Sequence, residues 1–178
     1  MKLRMLEDKD AIRILSWIKD PEINQYFQFN SAKANLDSVL AFIKESKNQS
    51  ESIHMAVVDD NDFYLGTISL KNINLESSNA EYAISMCKDA HGTGAAKYAT
   101  GEILKIAFEN LNLNRVYLNV LSDNIRANKF YMKNHFIFEG ELKEHIQING
   151  VLKDLKWYRL LKCEFSYDSY SAVQHISE

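Results

Sequence analysis

In the first 50 residues, apolar positions recur every three to four residues, which is the period of an amphipathic helix. A short apolar stretch at 2–6 precedes them and predicts a strand. Three helices are predicted, over about 9–18, 21–27 and 35–47. The second begins at Asp20-Pro21, a capping residue followed by proline at the first helical position. The chain therefore opens in the order β-α-α-α.

From residue 53 the apolar pattern changes to that of strands. Three runs predict a meander, at 53–58, 65–73 and 79–86. The strongest helix pattern follows at 94–110, and after it come a strand at 115–121 and a short helix at 125–133. Two last strands, at 136–145 and 151–161, flank Asn149-Gly150, which is typical of a two-residue hairpin. This order predicts an α/β fold, a mixed sheet with helices on both faces.

The length of 178 residues is most simply one domain with a substantial core. We expect that domain to cover 1–163. The stretch 164–178 is polar and aromatic without a clear period, so we expect a loosely held C-terminal tail there. A hydrophobic content of 46% and a charged content of 25% are ordinary for a soluble globular protein.

Charge and hydropathy exclude several classes of partner. A net charge of −3 gives no electrostatic footprint for nucleic acid. No apolar run approaches the roughly 20 residues of a membrane span, and the first residues lack the apolar core of a signal peptide. We therefore expect a cytoplasmic protein with no nucleic-acid or membrane partner. The two cysteines and five histidines show no ligand spacing, so no metal is expected.

The segment Lys88-Asp89-Ala90-His91-Gly92-Thr93-Gly94-Ala95-Ala96 holds two of the six glycines and joins a predicted strand to the long helix. Backbone N–H groups at a helix N-terminus have no partner inside the helix and form an anion site suited to a pyrophosphate. Taken alone, the segment would equally suit a simple tight turn. A dinucleotide-binding fingerprint would need a small residue in place of Lys97, and the Gly-Lys-Ser/Thr of an NTPase phosphate loop is absent.

Asn124 and Tyr131 lie seven positions apart in a predicted helix, so they share one face with Ala127 between them. That face offers an amide for a ligand arm, a gap filled only by a methyl group, and a phenol able to act as a general acid. The alternative is a capping asparagine and a core tyrosine.

The block from Glu81 to Leu161 resembles the GNAT superfamily of N-acetyltransferases, most of all its RimJ/RimL-type branch. The family's R/Q-x-x-G-x-G/A fingerprint appears as His91-Gly92-Thr93-Gly94-Ala95-Ala96. Its N-x-x-A-x-x-x-Y and K-x-G-F motifs appear at 124–131 and 133–136, and a Glu-Gly…Asn-Gly…Asp block at 139–154. Four motifs in order and at the right spacing identify the family. The resemblance implies a mostly antiparallel GNAT-type sheet and acetyl-CoA as co-substrate, with no metal.

The resemblance also assigns roles. The amides of Gly92, Thr93, Gly94, Ala95 and Ala96 would hold the pyrophosphate. The strand before them, at Met86, Cys87 and Lys88, would bind pantetheine through its backbone, together with Asn124 and Ala127. Tyr131 would protonate the departing thiolate as general acid.

A carboxylate is also needed, because the acceptor amine must lose a proton. Glu81 is the candidate. Cys87 has no base beside it in sequence, so direct transfer is expected rather than an acyl-thiol intermediate.

Two positions depart from the family pattern. His91 stands in place of Arg or Gln, and His135 in place of Gly. We expect Asn134-His135 still to make a left-handed turn, since both residue types visit that conformation. These departures motivate the alternative of a non-catalytic module that binds acyl-CoA or a metabolite.

The acceptor site is expected to involve the first helices, the loop at 28–34 and the closing hairpin. Its candidate aromatic residues are Trp17, Tyr26, Phe27 and Phe29. The segments 17–26 and 131–136 are similar to acetyltransferases of nucleotide-linked 4-amino sugars in pseudaminic acid synthesis. The same region also resembles spermidine and ribosomal-protein N-terminal acetyltransferases.

A polyamine would suggest acidic residues such as Glu139, Glu141 and Glu144, whereas a nucleotide sugar would suggest basic and stacking residues. The acceptor amine therefore stays open between an amino sugar, a polyamine and a protein N-terminus. A homodimer through the last hairpin also stays open.

Overall fold

The computed structural model describes residues 1–28, 30–48 and 50–171, so Phe29 and the last seven residues of the predicted tail lie outside it. It contains a seven-stranded sheet in the order β1-β2-β3-β4-β5-β7-β6. The strands are Lys2–Met5 (β1), Ile53–Val58 (β2), Tyr64–Asn74 (β3), Asn79–Met86 (β4), Arg115–Leu121 (β5), Ile137–Ile148 (β6) and Val151–Leu161 (β7). All neighbours are antiparallel except β4 and β5, which confirms the predicted mixed, mostly antiparallel sheet.

Helices cover both faces of this sheet, as predicted. They are Ala11–Lys19 (α1), Pro21–Asn24 (α2), Leu36–Glu45 (α3), Ala95–Lys105 (α4), Ile125–Lys133 (α5) and Asp168–Ser171 (α6). The long helix predicted at 94–110 is α-helical only to Lys105, and it continues as a π-helical turn over Ile106–Asn110. In the described part of the chain, no helix combines the length and the apolar character that a membrane crossing needs.

Two apolar cores lie on opposite faces of the sheet. One joins the sheet to α4 and α5 and includes the fully buried Tyr82, Ile103 and Leu118. The other joins β2 and β3 with α1 and α3, and it includes Ile14 and Ile43. Because both faces are packed, the strands between the two cores are held firmly in place.

The central strands β4 and β5 pair only at their first three residues. Asn79, Ala80 and Glu81 of β4 lie opposite Arg115, Val116 and Tyr117 of β5. Beyond Glu81 the two strands separate, although each stays paired on its other side, β4 with β3 and β5 with β7. The edges that face one another therefore have backbone groups without a ladder partner, and a slit opens between them.

The edge strand β6 is largely solvent-exposed and carries exposed apolar side chains at Ile137, Phe138 and Leu142. An unpaired sheet edge of this kind offers backbone groups to another chain. The homodimer through the last hairpin stays a prediction.

The start of the predicted tail is packed rather than loose, so that expectation is wrong for 164–171. Phe165 packs on Phe108 with ring centroids 5.2 Å apart, and Tyr170 is 5% exposed. The Tyr170 hydroxyl donates a hydrogen bond to the Asn134 carbonyl at 2.6 Å. Gly101 of α4 makes room for it, because a Cβ there would lie 2.4 Å from the Tyr170 Cβ. The aromatic residues of the segment thus complete the core beside α4.

Replacing Tyr170 tests this packing. Tyr170→Ala should lower the free energy of unfolding by about 3–5 kcal/mol, as for other large aromatic truncations in a core. Tyr170→Phe keeps the ring and loses only the hydrogen bond, so it should cost about 1 kcal/mol. Urea-induced unfolding measures both. A Tyr170→Ala value within about 0.5 kcal/mol of wild type would show that the segment is loosely held after all.

Candidate active site

The slit between β4 and β5 widens into a cavity of about 910 Å³. Its walls are the separated parts of both strands, Tyr82 to Met86 and Asn119 to Leu121, together with the Gly-rich turn and one face of α5. Across the slit, the Gln28 side chain donates a hydrogen bond to Asn119 at 2.7 Å and ties the loop after α2 to β5. This volume is typical of a site for a substantial ligand.

The Gly-rich turn presents unpartnered amides beside this cavity. Gly92 and Gly94 have φ of +78° and +83°, left-handed backbone that a residue with a Cβ rarely adopts. The first helical bond of α4 runs from the Tyr98 amide to the Gly94 carbonyl at 3.0 Å. Among the described residues, the amides of Gly92, Gly94, Ala96 and Lys97 donate to no partner. The turn is therefore an anion site at a helix N-terminus with its donors available.

Thr93 and Ala95 shape the turn instead of lining the cavity. The Thr93 hydroxyl donates to the Ala90 carbonyl at 2.8 Å and accepts from the Ala95 amide at 3.3 Å. Ala95 is fully buried in the core, whereas Ala96 lines the cavity. Of the five predicted pyrophosphate residues, only Ala95 has its amide occupied by a side chain.

His91 lines the cavity and pairs with a residue that the motifs did not indicate. The Arg126 guanidinium donates to His91 Nδ1 at 2.9 Å, and burial together with this cation lowers the pKa of His91. Lys97 and Lys133 line the cavity as well. Lys133 is the lysine of the K-x-G-F motif, and Lys97 and Arg126 each lie within two positions of a motif residue, a pattern that could have identified them.

Tyr131 lies in the wall of the cavity with its hydroxyl unpartnered. The side chain is 7% exposed and its ring packs edge-on against Tyr82 at 6.1 Å between centroids. No described residue hydrogen-bonds the hydroxyl, and its oxygen is not completely shielded from solvent. Burial raises the pKa of Tyr131, so the phenol stays protonated at neutral pH.

Asn124 is the N-cap of α5, where its Oδ1 accepts from the Ala127 amide at 3.1 Å. The Asn124 oxygen is therefore occupied by the cap, as the capping interpretation predicts. Only the Nδ2 donors of Asn124 are left for a ligand in the cavity. At the other end of α5, His135 has φ +65°, so the expected left-handed turn forms without glycine.

Glu81 lines the cavity within a polar cluster. Its carboxylate pairs with Lys71 Nζ at 2.7 Å and accepts from the Asn72 amide group at 2.9 Å. Each carboxylate oxygen has a second acceptor position, so the cluster leaves capacity for a further hydrogen bond.

Of the three predicted pantetheine residues, the structure brings only Met86 to the cavity. The Cys87 side chain packs in the core on the other face of the sheet, and its amide donates to the Leu65 carbonyl at 2.8 Å. Burial raises the pKa of the Cys87 thiol, which disfavours the reactive thiolate. Lys88 pairs with Glu22 at 2.8 Å, outside the cavity.

Comparisons with known proteins agree with this geometry. A family model described as an acetyltransferase (GNAT) domain matches residues 1–137. A spermidine N(1)-acetyltransferase of Vibrio cholerae is 27% identical over 165 residues, covering 93% of this chain and 95% of the relative. The acetyltransferase PseH of Campylobacter jejuni is 29% identical over 143 residues, covering 80% and 87%.

A solved structure extends the similarity to three dimensions. The crystal structure of spermidine N-acetyltransferase from Vibrio cholerae in complex with CoA and spermine matches with a TM-score of 0.83 at 26% identity. The match covers 92% of this chain and 96% of that one. The neighbour's fold therefore binds CoA on the same arrangement of strands and helices. Together with the family match over more than half its length, this shows that the chain belongs to the GNAT acetyltransferase family and is an N-acetyltransferase.

Proposed function

We propose that this protein is a cytoplasmic, acetyl-CoA-dependent enzyme of the RimJ/RimL-like branch that acetylates a primary amine by direct attack, with Tyr131 as general acid. One observation carries the proposal. The unpartnered amides of Gly92, Gly94, Ala96 and Lys97 and the unpartnered Tyr131 hydroxyl line one cavity, which exists because β4 and β5 separate.

The turn would bind the diphosphate of acetyl-CoA. The amides of Gly92, Gly94 and Ala96 supply hydrogen bonds, and the positive end of α4 adds its dipole. Lys97 and Arg126 lie in the same part of the cavity and supply cations for the phosphates. The pantetheine arm would follow the unpaired edge of β4 to Tyr82–Met86, where extended backbone offers amide partners.

The acceptor ammonium, whose ordinary pKa is about 10.4, first passes one proton through water to Glu81, which leaves a neutral amine. The amine nitrogen then attacks the thioester carbonyl, and the C–S bond breaks as the N–C bond is made. Tyr131 gives its proton to the departing sulfur, and the phenolate regains one through water from the acylated nitrogen. Glu81 lines the same cavity, and its second acceptor positions stay open beside Lys71.

Gly94→Asp tests the anion site. The added carboxylate would lie at the positive-φ N-cap of α4, where a Cβ meets nothing within 4 Å and the diphosphate would bind. Repulsion and bulk should weaken CoA binding by about 10-fold or more, measured by calorimetry. Gly150→Asp is the matched control, because Gly150 also has positive φ and open space but lies in the distant hairpin turn. Equal affinity in both variants would mean that the turn is structural only.

Tyr131→Phe should lower kcat by about 100-fold, the scale of a lost general acid, while the affinity for acetyl-CoA changes little. Steady-state kinetics separate kcat from KM, and calorimetry gives the affinity. Tyr82→Phe is the control, because the Tyr82 hydroxyl in the same aromatic cluster is already bonded to Thr100 at 2.8 Å. An unchanged kcat in Tyr131→Phe would overturn the assignment.

Glu81→Gln distinguishes a proton acceptor from an ion-pair partner. If Glu81 is a proton acceptor, Glu81→Gln should lower kcat by about 100-fold. The loss of kcat should be steeper at low pH, where a larger fraction of the amine is protonated. A purely structural role would instead lower the free energy of unfolding, since Lys71 loses its partner, and leave kcat intact. Measuring kcat against pH together with urea unfolding decides between them.

A further inference from the structure

A second cavity, of about 460 Å³, lies on the opposite face of the sheet between α1, α3 and strands β2 to β4. Its apolar wall includes Trp17, Val39 and Phe42. Ala83, Ile84 and Ser85 of β4 line both cavities. A molecule in the second cavity therefore reaches the same stretch of strand along which the thioester arm would lie.

A row of side chains leads across the floor of this cavity to the slit. His54 of β2 is in register with Ser69 of β3, and Ser69 is in register with Ala83 of β4. Residues in register on antiparallel strands share one face of the sheet. The Ser69 hydroxyl and His54 Nδ1 are hydrogen-bonded at 2.8 Å, and Ala83 beside them lines both cavities.

The other ring nitrogen of His54 is available to a ligand. No described residue hydrogen-bonds Nε2, and Nε2 is not completely shielded from solvent. Burial and the charge of Lys71 lower the pKa of His54, so the ring is neutral at pH 7. A neutral imidazole anchored through one nitrogen offers the other to a hydroxyl or carbonyl group.

The charges of the second cavity favour an anionic ligand. Lys33 is the one charged side chain at neutral pH among the described residues that line it, and no ion pair of Lys33 occurs within the described chain. None of those lining residues is a carboxylate. Glu81 is the one carboxylate among the described residues that line the first cavity, and it is already paired with Lys71.

The acidic residues that a polyamine would need lie elsewhere. Glu139 forms ion pairs with Arg115 and Arg159, and Glu141 pairs with Lys143 at 3.1 Å. Neither glutamate lines either cavity. A polycation in the second cavity would meet the unpaired Lys33 with no carboxylate to offset it, which costs Coulomb energy.

We propose that the second cavity binds the acceptor, and that this acceptor is a hydroxyl-bearing amine on an anionic carrier, of the amino-sugar phosphate class. His54 binds a hydroxyl group of the ring, Lys33 binds the anionic group at the rim, and the amine faces the slit at Ala83–Ser85. The proposal rests on the proposed acetyl transfer.

Acetylation assays with three amines test this assignment. Glucosamine 1-phosphate, glucosamine and spermidine are offered to the wild-type protein with acetyl-CoA, and release of the CoA thiol is measured. We expect kcat/KM to fall in the order given, with glucosamine 1-phosphate at least about 10-fold above spermidine. A preference for spermidine overturns the cavity assignment while leaving the proposed function intact. Absence of thiol release with all three overturns the acceptor assignment, and absence of acetyl-CoA binding in calorimetry overturns the proposed function itself.

Variants then locate the binding groups. Lys33→Glu should raise the KM for glucosamine 1-phosphate by about 10-fold and leave the KM for glucosamine and the affinity for CoA unchanged. Lys44→Glu is the matched control, an exposed lysine of α3 that lines neither cavity. His54→Leu should raise the KM for both sugars, and His54→Gln should raise the same KM values by a smaller factor. Equal effects of the two lysine variants, or an unchanged KM in His54→Leu, would overturn the proposal.

Discussion

Strands β4 and β5 hydrogen-bond through only three residues each before they diverge, and the active-site geometry depends on that short ladder. A longer ladder would close the slit and remove the cavity. Unmade backbone bonds inside a protein cost free energy, so such a gap persists only where both strands are fixed by their outer neighbours. Here β3 and β7 supply that support, and packed helices cover both faces. The open edges are suited to an extended ligand with amide groups of its own.

The two ends of the slit differ in chemistry. At one end lie the positive end of α4, its unpartnered amides and the cations Lys97 and Arg126, which together suit phosphates. At the inner end lies the Tyr131 hydroxyl in an aromatic surround. In the proposed binding mode the phosphate charge would lie at the solvent-accessible end, and the protonated phenol lies in the buried, aromatic end. This separation is what acyl transfer from a large anionic thioester requires.

Strand β4 also connects the two cavities, because it contributes the same three residues to each. Side chains on its opposite faces alternate, so one strand can position a thioester on one side and an amine on the other. In the proposed arrangement, one rigid element with a core on each face would bring the reacting groups together. His54 and Ser69 give the floor of the second cavity a polar pair that is distinct from the phosphate site.

The sequence by itself determined the local features of this protein. The ranges of β2, β5, α5 and β7 follow from apolar period and turn residues. The glycines at 92 and 94 predicted the turn before the long helix, and Asn134-His135 predicted a left-handed turn. All of these features depend on neighbours in the chain. Only the tertiary structure decided which side chains share a space. It paired Glu81 with Lys71, turned Cys87 away from the slit and buried Tyr170 against α4, since these contacts depend on strand register and packing between distant segments.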